Sequence, residues 1–232
     1  MIFLLDFDLT LTDSLRGLVE SVRYVYTEKF LGSRFIDLDY SEFLRIYYRD
    51  DLASLLPNDV EIRWSFWESV WRRYTKTFSL QGSLFKCALE ALTYLRGRGL
   101  IYVVTGREIR SCEMRDELNH LGIRELIYGL YTVGDFGRYT KKKDLFKYLV
   151  DKYESLGFRR SDVVVISDSY RDLENASNLG AEAIGYVPHS LSLVKELFEE
   201  KGFKYISSWC ESTHLINLID KSIATKSHRL MY

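Results

Sequence analysis

Two aspartates at the end of an apolar run are the residues of this chain best placed to do chemistry: Asp6 and Asp8, in Leu4-Leu5-Asp6-Phe7-Asp8-Leu9-Thr10. A spacing of i, i+2 sends both side chains to one face of a strand. Two like charges brought to one point by a buried strand are costly unless something positive meets them. A hard cation with oxygen ligands, typically Mg²⁺, is the natural candidate. One carboxylate could then attack an electrophile while its neighbour handles protons. Thr105 follows the apolar run Leu100 to Val104, and Asp168 follows Val163 to Ile166, so both stand at the ends of later runs.

The elements that must position these groups read as strands alternating with helices. After the first strand, Ser14 is a candidate N-cap for a helix through Leu15, Leu18, Val22 and Tyr26, ended by Gly32. Asp39 or Ser41 opens a second helix, and Asn58 or Asp59 a third that carries Trp64, Trp67, Trp71 and Tyr74. Residues 15–80 thus read as all helix. Beyond Ser83, helices alternate with strands at 100–104, 127–133, 163–166, 183–187 and 204–206, and a helix from Trp209 leads to a frayed tail after Ala224. This rhythm predicts an α/β fold with a parallel sheet and right-handed crossovers. In such sheets chemistry sits beyond the carboxyl ends of the strands, where Asp6, Asp8, Thr105 and Asp168 fall.

Composition narrows the field. The chain has 232 residues, 47% hydrophobic and 28% charged, with a formal net charge of -1. That length suits one large domain, or one carrying a smaller insert. Near-neutral charge gives no general field for nucleic acid or a membrane surface. Three cysteines, Cys87, Cys112 and Cys210, form no CxxC pair. They frame no disulfide scaffold and fit a reducing cytoplasm, with Cys87 and Cys112 as buried small residues. No leader can be drawn before Asp6, and no apolar run approaches the ~20 residues that span a bilayer. The expectation is a cytoplasmic protein.

Four segments taken together carry a resemblance: Asp6-Phe7-Asp8-Leu9-Thr10, Val103-Val104-Thr105-Gly106-Arg107, Lys143, and Ile166-Ser167-Asp168-Ser169-Tyr170-Arg171-Asp172. In this order they resemble the motifs of the haloacid dehalogenase superfamily, phosphatase type with a helical C1 cap, similar to phosphoglycolate phosphatases. The resemblance covers about residues 1 to 220. It implies a Rossmann-like core over 1–14 and 81–232 with a helical cap over 15–80. Asp6 would be the nucleophile that becomes an aspartyl phosphate, and Asp8 the acid and base. Thr105 and the Gly106 N–H would hold phosphoryl oxygens, and Arg107 could reach substrate. Lys143, chosen over Lys141 and Lys142 for its distance to Asp168, would neutralise nucleophile and phosphate. Asp6, the Asp8 carbonyl and Asp168 would hold Mg²⁺, and Asp172 would orient the lysine or a metal-bound water. The family's carbon–halogen hydrolases lack an acid two residues after the nucleophile, so Asp8 implies phosphate esters.

The sequence departs from the family pattern at Leu9 and Ser167, where glycine is usual, and in having no proline after Lys143. None of these removes a charge. The stripe Trp64, Trp67, Trp71 reads as the insert's own core, and Arg45, Arg49, Arg63, Arg72 and Arg73 as mostly a solvated face, with a contact to a substrate carboxylate or second phosphate as the alternative for one of them. The expected function is a Mg²⁺-dependent phosphatase, monomer or homodimer, acting on a small phosphorylated metabolite, with neither membrane nor nucleic acid as partner. Alternatives are a sugar-phosphate mutase of the same family or a catalytically silent binding module. Thr105-Gly106-Arg107 also resembles the motif of polynucleotide phosphatases, a reading opposed by the charge balance.

Overall fold

A computed structural model of the chain describes residues 1–30, 39–49, 56–211 and 213–220. The helix end expected at Gly32 and the tail after Ala224 lie outside these residues. The first apolar run forms β1 (Ile2–Leu5), fully buried. It pairs in parallel with β2 (Leu100–Thr105) on one side and β4 (Val163–Ser167) on the other, with Leu5 opposite Val103 and Ile166. With β3 (Gly129–Thr132), β5 (Glu182–Tyr186) and β6 (Lys204–Ile206) the sheet has six strands in the order β3-β2-β1-β4-β5-β6, all parallel.

Strand alternation divides the core. Phe3, Leu5, Ile101, Val103, Val164 and Ile166 face one layer, and Ile2, Leu4, Tyr102, Val104, Val163 and Val165 the other. Both faces are covered, which is why these strands read as continuous apolar runs. The helices after β1 are α1 (Leu15–Phe30), α2 (Tyr40–Arg49), α3 (Val60–Thr77) and α4 (Ala88–Arg96), of which α4 packs on β2. After β2 come α5 (Arg115–His120), α6 (Lys142–Ser155), α7 (Tyr170–Asn178) and α8 (Ser192–Glu200), and a further helical segment spans 213–220.

The first three helices stand together between β1 and β2. Asp59 caps α3 as expected, its side chain accepting from the Glu61 and Ile62 N–H groups, and Asp39 accepts from Glu42 N at 2.7 Å. Ser14 precedes α1, but its buried hydroxyl has no hydrogen-bond partner, so it does not cap as expected. Gly17 lets α1 and α3 close up, since a Cβ there would stand 2.7 Å from the Tyr74 ring. The chain enters and leaves this helical group at one place: Thr12 bridges antiparallel to Leu84, with Asp13 N to Ser83 O at 3.0 Å and Phe85 N to Leu11 O at 2.9 Å.

One expectation is overturned. Cys87 and Cys210 form a disulfide across 123 residues, and Cys112 is exposed rather than buried. The pairing ties the start of α4 to the segment after β6, and it removes the cysteines as an argument for a reducing compartment. No helix among the described residues is long and apolar enough to cross a membrane.

Candidate active site

The strand order reverses direction in sequence between β1 and β4, and the carboxyl ends of β1, β2 and β4 meet there around a cavity of ≈ 230 Å³. Asp6 is fixed on its wall by its own N–H, which donates to Ile166 O (2.9 Å), while its Oδ1 accepts from Phe7 N (2.8 Å). Lys142 Nζ stands 2.6 Å from that Oδ1 and 2.5 Å from Asp172 Oδ2. Ser167 Oγ lies 3.1 Å from Asp6 Oδ2 and 2.8 Å from Asp172 Oδ2, so its single proton serves one acid at a time. Asp168 is gripped from two sides. Thr10 Oγ1 donates to its Oδ1 (2.9 Å) and accepts from its N–H (3.0 Å), and the Tyr48 hydroxyl donates to its Oδ2 (2.7 Å). Thr105 and Gly106 line the same cavity, with open space where a Gly106 Cβ would project.

Burial raises the Asp6 carboxyl above its ordinary range against the pull of Lys142, and burial with the Asp6 charge pushes Asp168 well above it. Burial draws Lys142 down, yet Asp172 and Asp6 outweigh it and hold the ammonium charged. Negative charge thus exceeds the positive charge available, a state a divalent cation would relieve. Among the described residues no three His, Cys, Asp or Glu side chains are arranged so that they alone could hold a metal ion. A small hard ion needs fewer, since it binds through one or two carboxylates and keeps several waters. Asp6, Asp168 and a backbone carbonyl fit that requirement.

Two expected residues are not where the sequence reading put them. The lysine in the site is Lys142, while Lys143 is exposed. The reason is helical phase: Lys142 opens α6 on the face of Leu145, Phe146 and Leu149, all buried, and Lys143 points about 100° away. That apolar phase was visible in the sequence and would have chosen correctly. Arg107 does not line the cavity. It is 0% exposed, with Nε and Nη2 on Asp8 (2.8 and 2.7 Å) and Nη1 and Nη2 on Glu117 (2.6 and 3.1 Å). Burial works against its charge, but Asp8 and Glu117 overcome this and keep it protonated. Trp71, Tyr74 and Phe7 enclose the guanidinium, ring centroids 4.8, 4.7 and 5.0 Å from Cζ.

The tryptophan stripe divides. Trp64 packs against Tyr139 away from the site, whereas Trp67 and Trp71 line the cavity beside Tyr47. Of the arginines on the insert, Arg45 pairs with Glu42 and Arg72 with Glu68 and Glu113, while Arg63 donates to Pro57 O and Arg73 lies over the Tyr24 ring. Arg49 is exposed. Thr10, Tyr47, Tyr48, Glu108 and Glu117 were not anticipated. Ser167 was noted only as a departure. Their roles depend on contacts between distant segments, such as Tyr48 to Asp168, which no local pattern announces.

Solved structures share this architecture over nearly the whole chain. A predicted phosphatase from Clostridium acetobutylicum matches with a TM-score of 0.74 at 20% identity, covering 93% of this chain and 98% of its own. A haloacid dehalogenase-like family hydrolase from Streptococcus pneumoniae matches at 0.70 and 17%, covering 93% and 97%. A predicted phosphoglycolate phosphatase from Haemophilus somnus matches at 0.60 and 16%, covering 93% and 97%. Identities this low speak for the fold. Comparison with curated proteins finds no match. The family model of haloacid dehalogenase-like hydrolases matches residues 2–186, a span that contains every residue of the cavity described above. The chain therefore belongs to the haloacid dehalogenase-like hydrolase family.

Proposed function

We propose that the protein is a Mg²⁺-dependent phosphatase that hydrolyses a small phosphate monoester through an aspartyl phosphate on Asp6. The observation that carries this reading is the grouping of Asp6, Asp8, Thr105, Lys142 and Asp168 on one cavity, with Lys142 2.6 Å from Asp6. An Asp6 oxygen bonds to phosphorus as the ester P–O bond breaks, and Asp8 carries a proton to the leaving oxygen, a role that needs one of its oxygens to leave the Arg107 fork. Water then loses a proton to Asp8 and attacks the phosphorus. The bond to Asp6 breaks and inorganic phosphate leaves. Thr105 and the Gly106 N–H hold phosphoryl oxygens, and Lys142 neutralises charge shared by Asp6 and the phosphoryl group. Asp172 and Ser167 orient that lysine and that acid. Mg²⁺ on Asp6, Asp168 and the Asp8 carbonyl would supply the further positive charge that phosphoryl transfer needs.

The helices over 15–80 serve as a cap on a core formed by 1–14 and 81–232. The paired entry and exit at Thr12 and Leu84 support this division, as do Tyr47, Trp67 and Trp71, which the insert brings to the cavity. The test is phosphate release from p-nitrophenyl phosphate with and without Mg²⁺, in wild type and Asp6→Asn. Metal-dependent turnover lost in Asp6→Asn is the expected result, and turnover that survives the substitution refutes the mechanism.

A further inference from the structure

The cavity holds a carboxyl group that the phosphatase chemistry does not use. Glu108 lines it just beyond the Thr105-Gly106 turn, and its Oε2 is inaccessible and without a hydrogen-bond partner. Burial pushes this carboxyl up to about 8, with only its own backbone N–H and Trp71 opposing. No cation acts on it. Unsatisfied buried oxygens are uncommon and cost free energy, so one carried by a residue that lines a cavity gains a partner if the side chain turns that oxygen to a donor bound there.

The surroundings specify that donor. The cavity is also lined by the aromatic residues Tyr47, Trp67 and Trp71, side chains of the kind that hold cations, although the Trp71 ring already lies against the Arg107 guanidinium. Its one basic side chain among the described residues, Lys142, is engaged by Asp6 and Asp172. Arg107 is shut behind the cavity by Asp8 and Glu117. A leaving group bearing a carboxylate would find no free counter-charge among the described residues that line the cavity. A leaving group bearing an ammonium would supply the missing partner of Oε2 and rest against the rings. The space, ≈ 230 Å³, lies below the ~300–1,000 Å³ of pockets that take drug-sized ligands, so the leaving group is short.

We infer that Glu108, Tyr47, Trp67 and Trp71 form a subsite for a cationic amine, and that the substrate is a short amino-alcohol phosphate monoester. This rests on the phosphatase reading and narrows its substrate class. The test compares kcat/KM, in Mg²⁺, for three short esters: ethanolamine phosphate (ammonium), ethyl phosphate (neutral) and phosphoglycolate (carboxylate), with p-nitrophenyl phosphate as the measure of phosphatase activity itself. Wild type should prefer the ammonium ester to the neutral one by about tenfold or more, and turn over phosphoglycolate least. In Glu108→Gln the ammonium-to-neutral ratio should fall toward one, and as a ratio within one variant it is insensitive to general losses of activity. A wild-type preference for phosphoglycolate, or for a polyol ester such as glycerol 1-phosphate, overturns the inference, as does a ratio that Glu108→Gln leaves unchanged. If no ester is hydrolysed, the phosphatase reading fails by itself. Calorimetric binding of ethanolamine phosphate against ethyl phosphate then decides the subsite, with equal affinities overturning it.

Discussion

Removing the Arg107 guanidinium, as in Arg107→Met, separates a structural clamp from a substrate contact. The side chain is fully buried and makes four N–H···O contacts of 2.6–3.1 Å, two to Asp8 and two to Glu117. Methionine keeps the apolar stem against Trp71 and Tyr74 but leaves two buried carboxylates with no counter-charge. Breaking a buried pair from one side costs about 3–5 kcal/mol, which in a chain of this length lowers Tm by roughly 6–20 °C. The loss should depend on pH. Burial already raises Glu117 above the usual carboxylate range against the pull of Arg107. Without the arginine it rises further, so protonation relieves the repulsion in acid. The penalty is therefore smaller near pH 5 than near pH 8. Scanning calorimetry of Arg107→Met at both pH values, with kcat and KM for p-nitrophenyl phosphate, checks this. An unchanged Tm accompanied by a raised KM would refute the clamp and restore Arg107 as a substrate contact.

Three further outcomes are expected. Lys142→Met should lower kcat by about 10²-fold or more, while Lys143→Met stays within about twofold, both read by phosphate release; the reverse pattern returns the motif lysine to Lys143. Reducing Cys87–Cys210 reopens a loop of 123 residues, worth about 5 kcal/mol by chain entropy, so a reductant should lower Tm by roughly 10 °C or more, and Cys112→Ser should not. Glu108 carries a native pKa of about 8 against 4.5 unfolded, so its charge weakens the fold progressively as pH rises from 4.5 and most fully above 8. Glu108→Gln should accordingly gain stability over wild type at pH 8.5, on the order of a few kcal/mol in urea melts, and gain little at pH 4.5.

Much of the fold was local information. Continuous apolar runs ended by Asp6, Thr105 and Asp168 marked strands covered on both faces, and their carboxyl ends fell together because parallel crossovers place them so. Helical period placed the three helices of the insert, and Asp59 capped the third because a short acceptor side chain satisfies free N–H groups at a helix start wherever one occurs. Lys142 belongs here as well. Its phase with Leu145, Phe146 and Leu149 was legible, and family spacing merely outweighed it.

Other features exist only once the chain has closed on itself. Leu9 adopts φ 56°, a conformation costly for leucine, in a turn closed by Leu9 N on Thr12 O and by Leu11 N and Thr12 N on Phe7 O, while its fully buried side chain packs in the core layer of Leu4 and Val104. Arg107 follows a strand end whose neighbours Thr105 and Gly106 line the cavity, and only the presence of Asp8 and Glu117 behind it turns it inward. Tyr48 reaches Asp168 across 120 residues, and Cys87 reaches Cys210 across 123. Such pairings carry no periodic signature, because periodicity records which face of an element is buried and not which residue waits on the other side.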